Sequence, residues 1–171
     1  MIRELGAALV FIACTGLGFR VARDYRDRPR HLSTLTHAIR LLQAEIEFSV
    51  TPLPQALART AERSRPPANR LLRATAENLQ RGEVSVEDAF AASIESVRGY
   101  AALTRQDWEV VKQFGATVGT SDRAHQSQQF AVALANLNRL EQEARESQRK
   151  NERLWQYLGV LCGLLIVILL Y

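Results

Sequence analysis

The sequence predicts an all-α fold, a helical bundle of about five or six helices carried between an N-terminal and a C-terminal transmembrane helix. Three observations point there. Both ends of the 171-residue chain are strongly apolar while its middle is polar and charged. Apolar residues in the middle recur at steps of three and four, and no stretch there alternates for long as a strand does. Capping residues, prolines and glycines divide that middle into helix-sized pieces. The organisation expected is an N-terminal transmembrane helix over 1–21, a helical domain with a C-terminal stalk over 22–153, and a C-terminal transmembrane helix over 154–171.

The first apolar run extends from Ile2 to Phe19 and holds charge only at Arg3 and Glu4. As a helix it rises roughly 27 Å, against a hydrocarbon core of about 30 Å. A cleavable signal is disfavoured because the apolar core runs into arginine rather than a small-residue cleavage site. Phe11-Ile12-Ala13-Cys14 loosely resembles a lipoprotein signal, but Phe is a poor match at its position and apolar residues continue beyond Cys14.

Directly after that run stand Arg20, Arg23, Arg26, Arg28 and Arg30, and only Tyr25 interleaves an aromatic ring. A nucleic-acid surface would mix basic and aromatic residues or set them on a recognition helix, so nucleic acid is excluded as the partner. Arg145, Arg149, Lys150 and Arg153 form the matching cluster before the last apolar run. Two basic clusters flanking one central segment place it on the cytoplasmic side by the positive-inside rule. Anionic headgroups add about 1 kcal/mol of attraction per basic residue near the surface.

Within the middle, Leu32, Leu35, Ile39, Leu42 and Ile46 make one stripe, with Arg40, Glu45 and Glu47 on other faces. Thr51 is placed to cap the next helix, Pro52 suits its first turn, and Pro66-Pro67 ends it. Pro67 opens a helix through Leu71, Leu72 and Leu79 that Gly82 stops. Ser85 caps an acidic helix start that runs to about Arg98. Thr104 to Val118 follows, with Asp107 in its first turn and Gly119 as its stop.

The last helix begins at Ser121 or Asp122, and Phe130, Leu134, Leu137, Leu140 and Ala144 form its seam. Beyond Ala144 it turns polar on all sides, with Glu141–Arg145 and Glu146–Lys150 spaced for i, i+4 pairing. It then enters WQYLGVLCGLLIVILLY, residues 155–171, which holds no charge and has aromatic residues at both ends. Gly159 and Gly163 form a GxxxG there, a face for close packing on the first span or on another subunit as a homo-oligomer.

The residues offer no catalytic or metal constellation. His31 and His37 are six apart, which does not put them together on one helical face, and His125 stands alone. No HExxH, CxxC, glycine-rich phosphate loop or G-x-S-x-G occurs. Glu45 and Glu47 point about 200° apart around a helix and cannot serve as an acid–base pair. Cys14 and Cys162 lie in the apolar ends, with the spacing of neither a disulfide framework nor a zinc site. A non-enzymatic, partner-binding protein without cofactor is expected. Gly119 to Arg123 reads as a helix–turn–helix corner that Asp122 caps; the same corner would present Asp122 and Arg123 to a partner.

The order GFRVARDYRDRPRHL, LLQAEIEFSVTPLPQAL, VVKQFGATVGTSDRAHQ and a Glu/Arg-rich helix into a terminal apolar run resembles the stage III sporulation protein AB family. Its most specific pieces are Tyr25 with Arg28-Pro29-Arg30, Glu45-Ile46 with Thr51-Pro52-Leu53, and Gly119 with Asp122-Arg123. The chain departs from the pattern at Gln43, where Glu is commoner, and at Ser49, where Gly is usual. The resemblance implies a component of the sporulation channel between mother cell and forespore, on the mother-cell side of the forespore envelope. It also implies similarity to the platform proteins of type II secretion and type IV pilus systems, which couple a secretion-type ATPase to membrane and ring subunits. Glu45, Thr51, Pro52, Leu53, Asp122 and Arg123 are the partner-binding residues it points to. A membrane-linked signalling or sensor module is the alternative, and it would require heptads sustained through the stalk.

Overall fold

The computed structural model describes the backbone of residues 2–49, 51–82, 84–119 and 123–170, and the side chains of those residues except 2–8, 10, 123–125, 163, 167, 169 and 170. Six α-helices and one short 3-10 turn follow in order, and no strand occurs among the described residues. They are α1 (Ile2–Ser49), α2 (Leu53–Arg63), α3 (Ala68–Gln80), α4 (Val86–Val97), the turn Arg98–Tyr100, α5 (Arg105–Val118) and α6 (Arg123–Leu170). The fold is all-α. The apolar ends are not separate helices: each is the outer part of a 48-residue helix.

The chain forms two compact units. One comprises Met1–Pro29 with Glu143–Tyr171, and the other Arg30–Gln142. Pro29 lies inside α1 at this boundary, where its missing N–H removes one i to i−4 hydrogen bond.

In the unit Arg30–Gln142, the α1 stripe turns inward. Leu32, Leu35, Ile39 and Leu42 are buried together with Ala38, while Ile46 is half-buried. Full burial stabilises each such leucine by about 1.5–3 kcal/mol relative to exposure. Leu57 of α2, Leu71 and Leu72 of α3, and Leu137 and Leu140 of α6 complete the aliphatic core. Phe90, Phe114 and Phe130 link α4, α5 and α6 edge to face, with ring centroids 6.0 Å and 5.1 Å apart.

Local chemistry sets the helix ends. Ser85 caps α4 by accepting the Asp88 N–H at 3.1 Å. At α5 the box is reciprocal: Thr104 Oγ1 accepts the Asp107 N–H at 3.3 Å, and Asp107 Oδ2 accepts the Thr104 N–H at 2.8 Å. Asp107 is fully buried, so its place is structural. Gly82, at φ +81°, occupies the left-handed region after α3. The Pro66–Pro67 peptide between α2 and α3 is cis.

Among the described residues of the other unit, Leu9, Ile12, Leu17, Leu158, Leu161, Leu164, Leu165 and Ile168 are exposed. No helix is long and apolar enough to cross a membrane when the described residues are taken alone.

Candidate functional site

The corner between α1 and α2 gathers four of the residues expected to meet a partner. Glu45, near the end of α1, accepts a hydrogen bond at 2.9 Å from Arg59 Nη1 of α2. Thr51 does not cap α2. The helix starts later, at Leu53, and the Pro52 carbonyl accepts from the Gln55 and Ala56 N–H groups at 3.0 Å. Thr51 instead donates a long 3.5 Å hydrogen bond to the Ser49 carbonyl. Pro52 is exposed and Leu53 half-buried.

Two contributors at this corner were not singled out by the sequence reading. Phe48 is 84% exposed, the most exposed of the large apolar side chains described. It lies off the stripe that ends at Ile46, and that break of register was the available signal. Arg59, one partner of the ion pair, carried no motif at all. Together with Leu41, Ala44, Glu45 and Arg63, these two residues line a shallow recess of about 180 Å³.

The corner between α5 and α6 is only partly described. Thr120, Ser121 and Asp122 lie outside the described residues; Arg123 opens α6, but its side chain is likewise outside them. Gly119 ends α5 with φ −75° and ψ −22°, ordinary right-handed values, so a left-handed cap is not its function. Its place is steric. A Cβ there would lie 2.6 Å from Val86 Cβ, and one at Gly115, a turn earlier, 2.5 Å from Phe90 Cγ. The two glycines form the face on which α4 seats.

His31 is tied into the fold, its Nδ1 accepting the Ala102 N–H at 3.0 Å. His37 is exposed, and the His125 side chain lies outside those described. Among the described residues no three His, Cys, Asp or Glu side chains are grouped to hold a metal ion.

The basic residues divide between the units. Arg20, Arg23, Arg26 and Arg28 belong to the first unit with Arg145, Arg149, Lys150 and Arg153, and Arg30 opens the second. Arg20, Arg23, Arg149, Lys150 and Arg153 are exposed. Arg26 Nε stands 3.7 Å from Asp27, while Arg28, Arg30 and Arg145 each engage a group within the protein.

Inside the first unit, α1 and α6 cross at glycine. A Cβ on Gly18 would lie 2.8 Å from Gly159 Cα and 2.9 Å from the Trp155 carbonyl oxygen. A Cβ on Gly159 would lie 3.0 Å from Gly18 Cα and 3.3 Å from the Cys14 carbonyl oxygen. Gly159 of the GxxxG thus faces α1 of the same chain; Gly163 lies outside the side chains described.

A sequence model of the family "Stage III sporulation protein AB" matches residues 3–171. The chain belongs to the stage III sporulation protein AB family. A curated relative, "Stage III sporulation protein AB" of Bacillus subtilis (strain 168), is 36% identical over 170 residues, which cover 99% of each chain. A solved structure of "Stage III sporulation protein AB (SpoIIIAB)" superposes with a TM-score of 0.68 at 33% identity, covering 72% of this chain and 98% of that one. Membership in the stage III sporulation protein AB family carries a role in sporulation.

Proposed function

We propose that the protein is a membrane-anchored, non-enzymatic adaptor of the channel between mother cell and forespore, docking a secretion-type ATPase to membrane and ring subunits. The observation that carries this reading is the Gly18–Gly159 crossing, where two apolar helix ends meet backbone to backbone. Their leucines and isoleucines remain exposed around it. An exterior of that kind is costly in water and at rest among acyl chains. The exposed basic residues at 20, 23, 149, 150 and 153 then flank the bilayer on the cytoplasmic side. The unit Arg30–Gln142 is held by structural caps and packing, and its Phe48 corner offers an apolar anchor beside an ion pair, the composition of a contact site.

The test is co-purification of the full-length chain in detergent with the ATPase and ring subunits of the same sporulation system. Stable association with the ATPase, lost on Phe48→Asp, supports the adaptor. Lack of association with every candidate subunit sinks it. Protease treatment of intact protoplasts tests the topology separately: digestion of residues 30–142 from outside would refute a cytoplasmic domain.

A further inference from the structure

A groove of about 630 Å³ opens between α4 and α5, well inside the unit Arg30–Gln142. Ile94 and Leu103 give it apolar lining. Trp108 lines it too, 7% exposed, with a buried indole N–H that has no acceptor among the described residues.

The charges around the groove are of both signs. On the α4 side, Arg98 Nη1 grips both oxygens of Glu95 at 2.9 and 3.0 Å, so that pair is closed. On α5, Arg105, Glu109 and Lys112 follow at i, i+4 and i+7, one face of the helix, reading plus, minus, plus. None of these three makes an ion pair with a described residue. With Glu109 between them, Arg105 and Lys112 leave that face a net charge of only +1, so an anionic bilayer gains little there and the alternation disfavours lipid as occupant. It suits a second helix with the opposite alternation, because register is what mixed charges specify.

We propose that the α4–α5 groove is a docking seat for a helical segment of a partner protein. That segment carries acidic, basic and acidic residues at i, i+4 and i+7 against Arg105, Glu109 and Lys112, with an apolar side chain over Leu103 and Trp108. The mode is a helix laid in a groove, with apolar contact giving affinity and charge giving register. The adaptor reading supplies only the source of the segment, and the following test does not use the ATPase. Failure here and failure of co-purification are therefore separate results.

Trp155→Phe leaves Trp108 as the sole tryptophan of the full chain, which has two. Its emission in detergent is followed while adding a synthetic amphipathic peptide with Glu, Lys and Glu at that spacing, and a counterpart with Lys, Glu and Lys. The first peptide is expected to give a saturable shift at concentrations about tenfold lower than the second. The triple exchange Arg105→Glu, Glu109→Lys, Lys112→Glu, all exposed or rim positions, reverses that preference. Ala91→Phe, which fills the groove without adding a tryptophan, abolishes it, with far-UV circular dichroism confirming that both variants fold. Equal response to the two peptides, no response to either, an unreversed preference in the exchange, or an equal shift on adding phosphatidylglycerol overturns the proposal.

Discussion

Gly18 and Gly159 meet so closely that a Cβ on Gly18 would come within 2.8 Å of the facing Cα, and one on Gly159 within 3.0 Å, the tighter fit being at Gly18. The obstacle on each side is backbone, which cannot rotate away as a side chain does. Gly18→Ala and Gly159→Ala are therefore each expected to force α1 and α6 apart in this unit, at about 1–3 kcal/mol. Hydrogen exchange on the full chain in detergent checks this. Protection should fall around Gly18 and Gly159 while the amides of α2 to α5 keep theirs.

A second set of glycines ranks by cause. Gly115→Ala drives a methyl into Phe90, which is 1% exposed and has nowhere to go, so about 2–3 kcal/mol is expected. Gly119→Ala presses on Val86 at the helix end and should cost somewhat less. Gly82→Ala meets no atom but must hold φ +81°, a cost of about 1 kcal/mol. Gly99→Ala meets nothing within 4 Å and is expected to be neutral or slightly stabilising. Urea midpoints of the four variants test the order.

The α5 capping box gives a prediction about local order. Asp107→Ala leaves the Thr104 N–H without its 2.8 Å acceptor and opens a hole at a fully buried position. A loss of about 1–3 kcal/mol is expected. Ser85→Ala removes a cap that is exposed to water, and about 1 kcal/mol is expected. Reversal of that ranking in thermal melts would count against Asp107 as a buried anchor.

At the α1–α2 corner stability and binding should separate. Phe48 is 84% exposed, so Phe48→Ala removes almost no packing and the melting midpoint should hold. Glu45→Ala breaks a surface pair worth about 0–1 kcal/mol. If this corner carries the ATPase contact, both variants lower co-purification while remaining folded. Unchanged association with both would move the contact elsewhere on the domain.

Much of the fold could be read from local pattern. The α1 stripe, the Ser85 cap, the Thr104–Asp107 start and the stop at Gly82 are each written within a few neighbouring residues, and the structure carries them. What depended on distant residues was not legible. The contact of Gly115 and Gly119 with α4 joins positions a loop and a turn apart, and helix-stop chemistry was the nearer explanation. The role of His31 was not legible because its partner, Ala102, stands 71 residues on and offers only a backbone N–H. Thr51 misled for a smaller reason. A threonine before Pro-Leu-Pro resembles a cap, but the helix sets in after the proline. Of the proposed partner surface, the residues named at the α1–α2 corner came through family resemblance. Phe48 showed in the sequence only as a break from the stripe that ends at Ile46, and its 84% exposure became visible with the fold.

The crossing of Gly18 with Gly159 also orders events in time. Gly18 leaves the ribosome about 140 residues before its counterpart exists. Through most of synthesis, the apolar end of α1 is thus a half-built joint, and the unit Arg30–Gln142 has all its residues before that joint closes. Contacts of such long sequence separation form late. On the membrane-anchored reading proposed above, the early helix is lodged in lipid while it waits, and the joint with α6 closes only after the rest of the chain has been made.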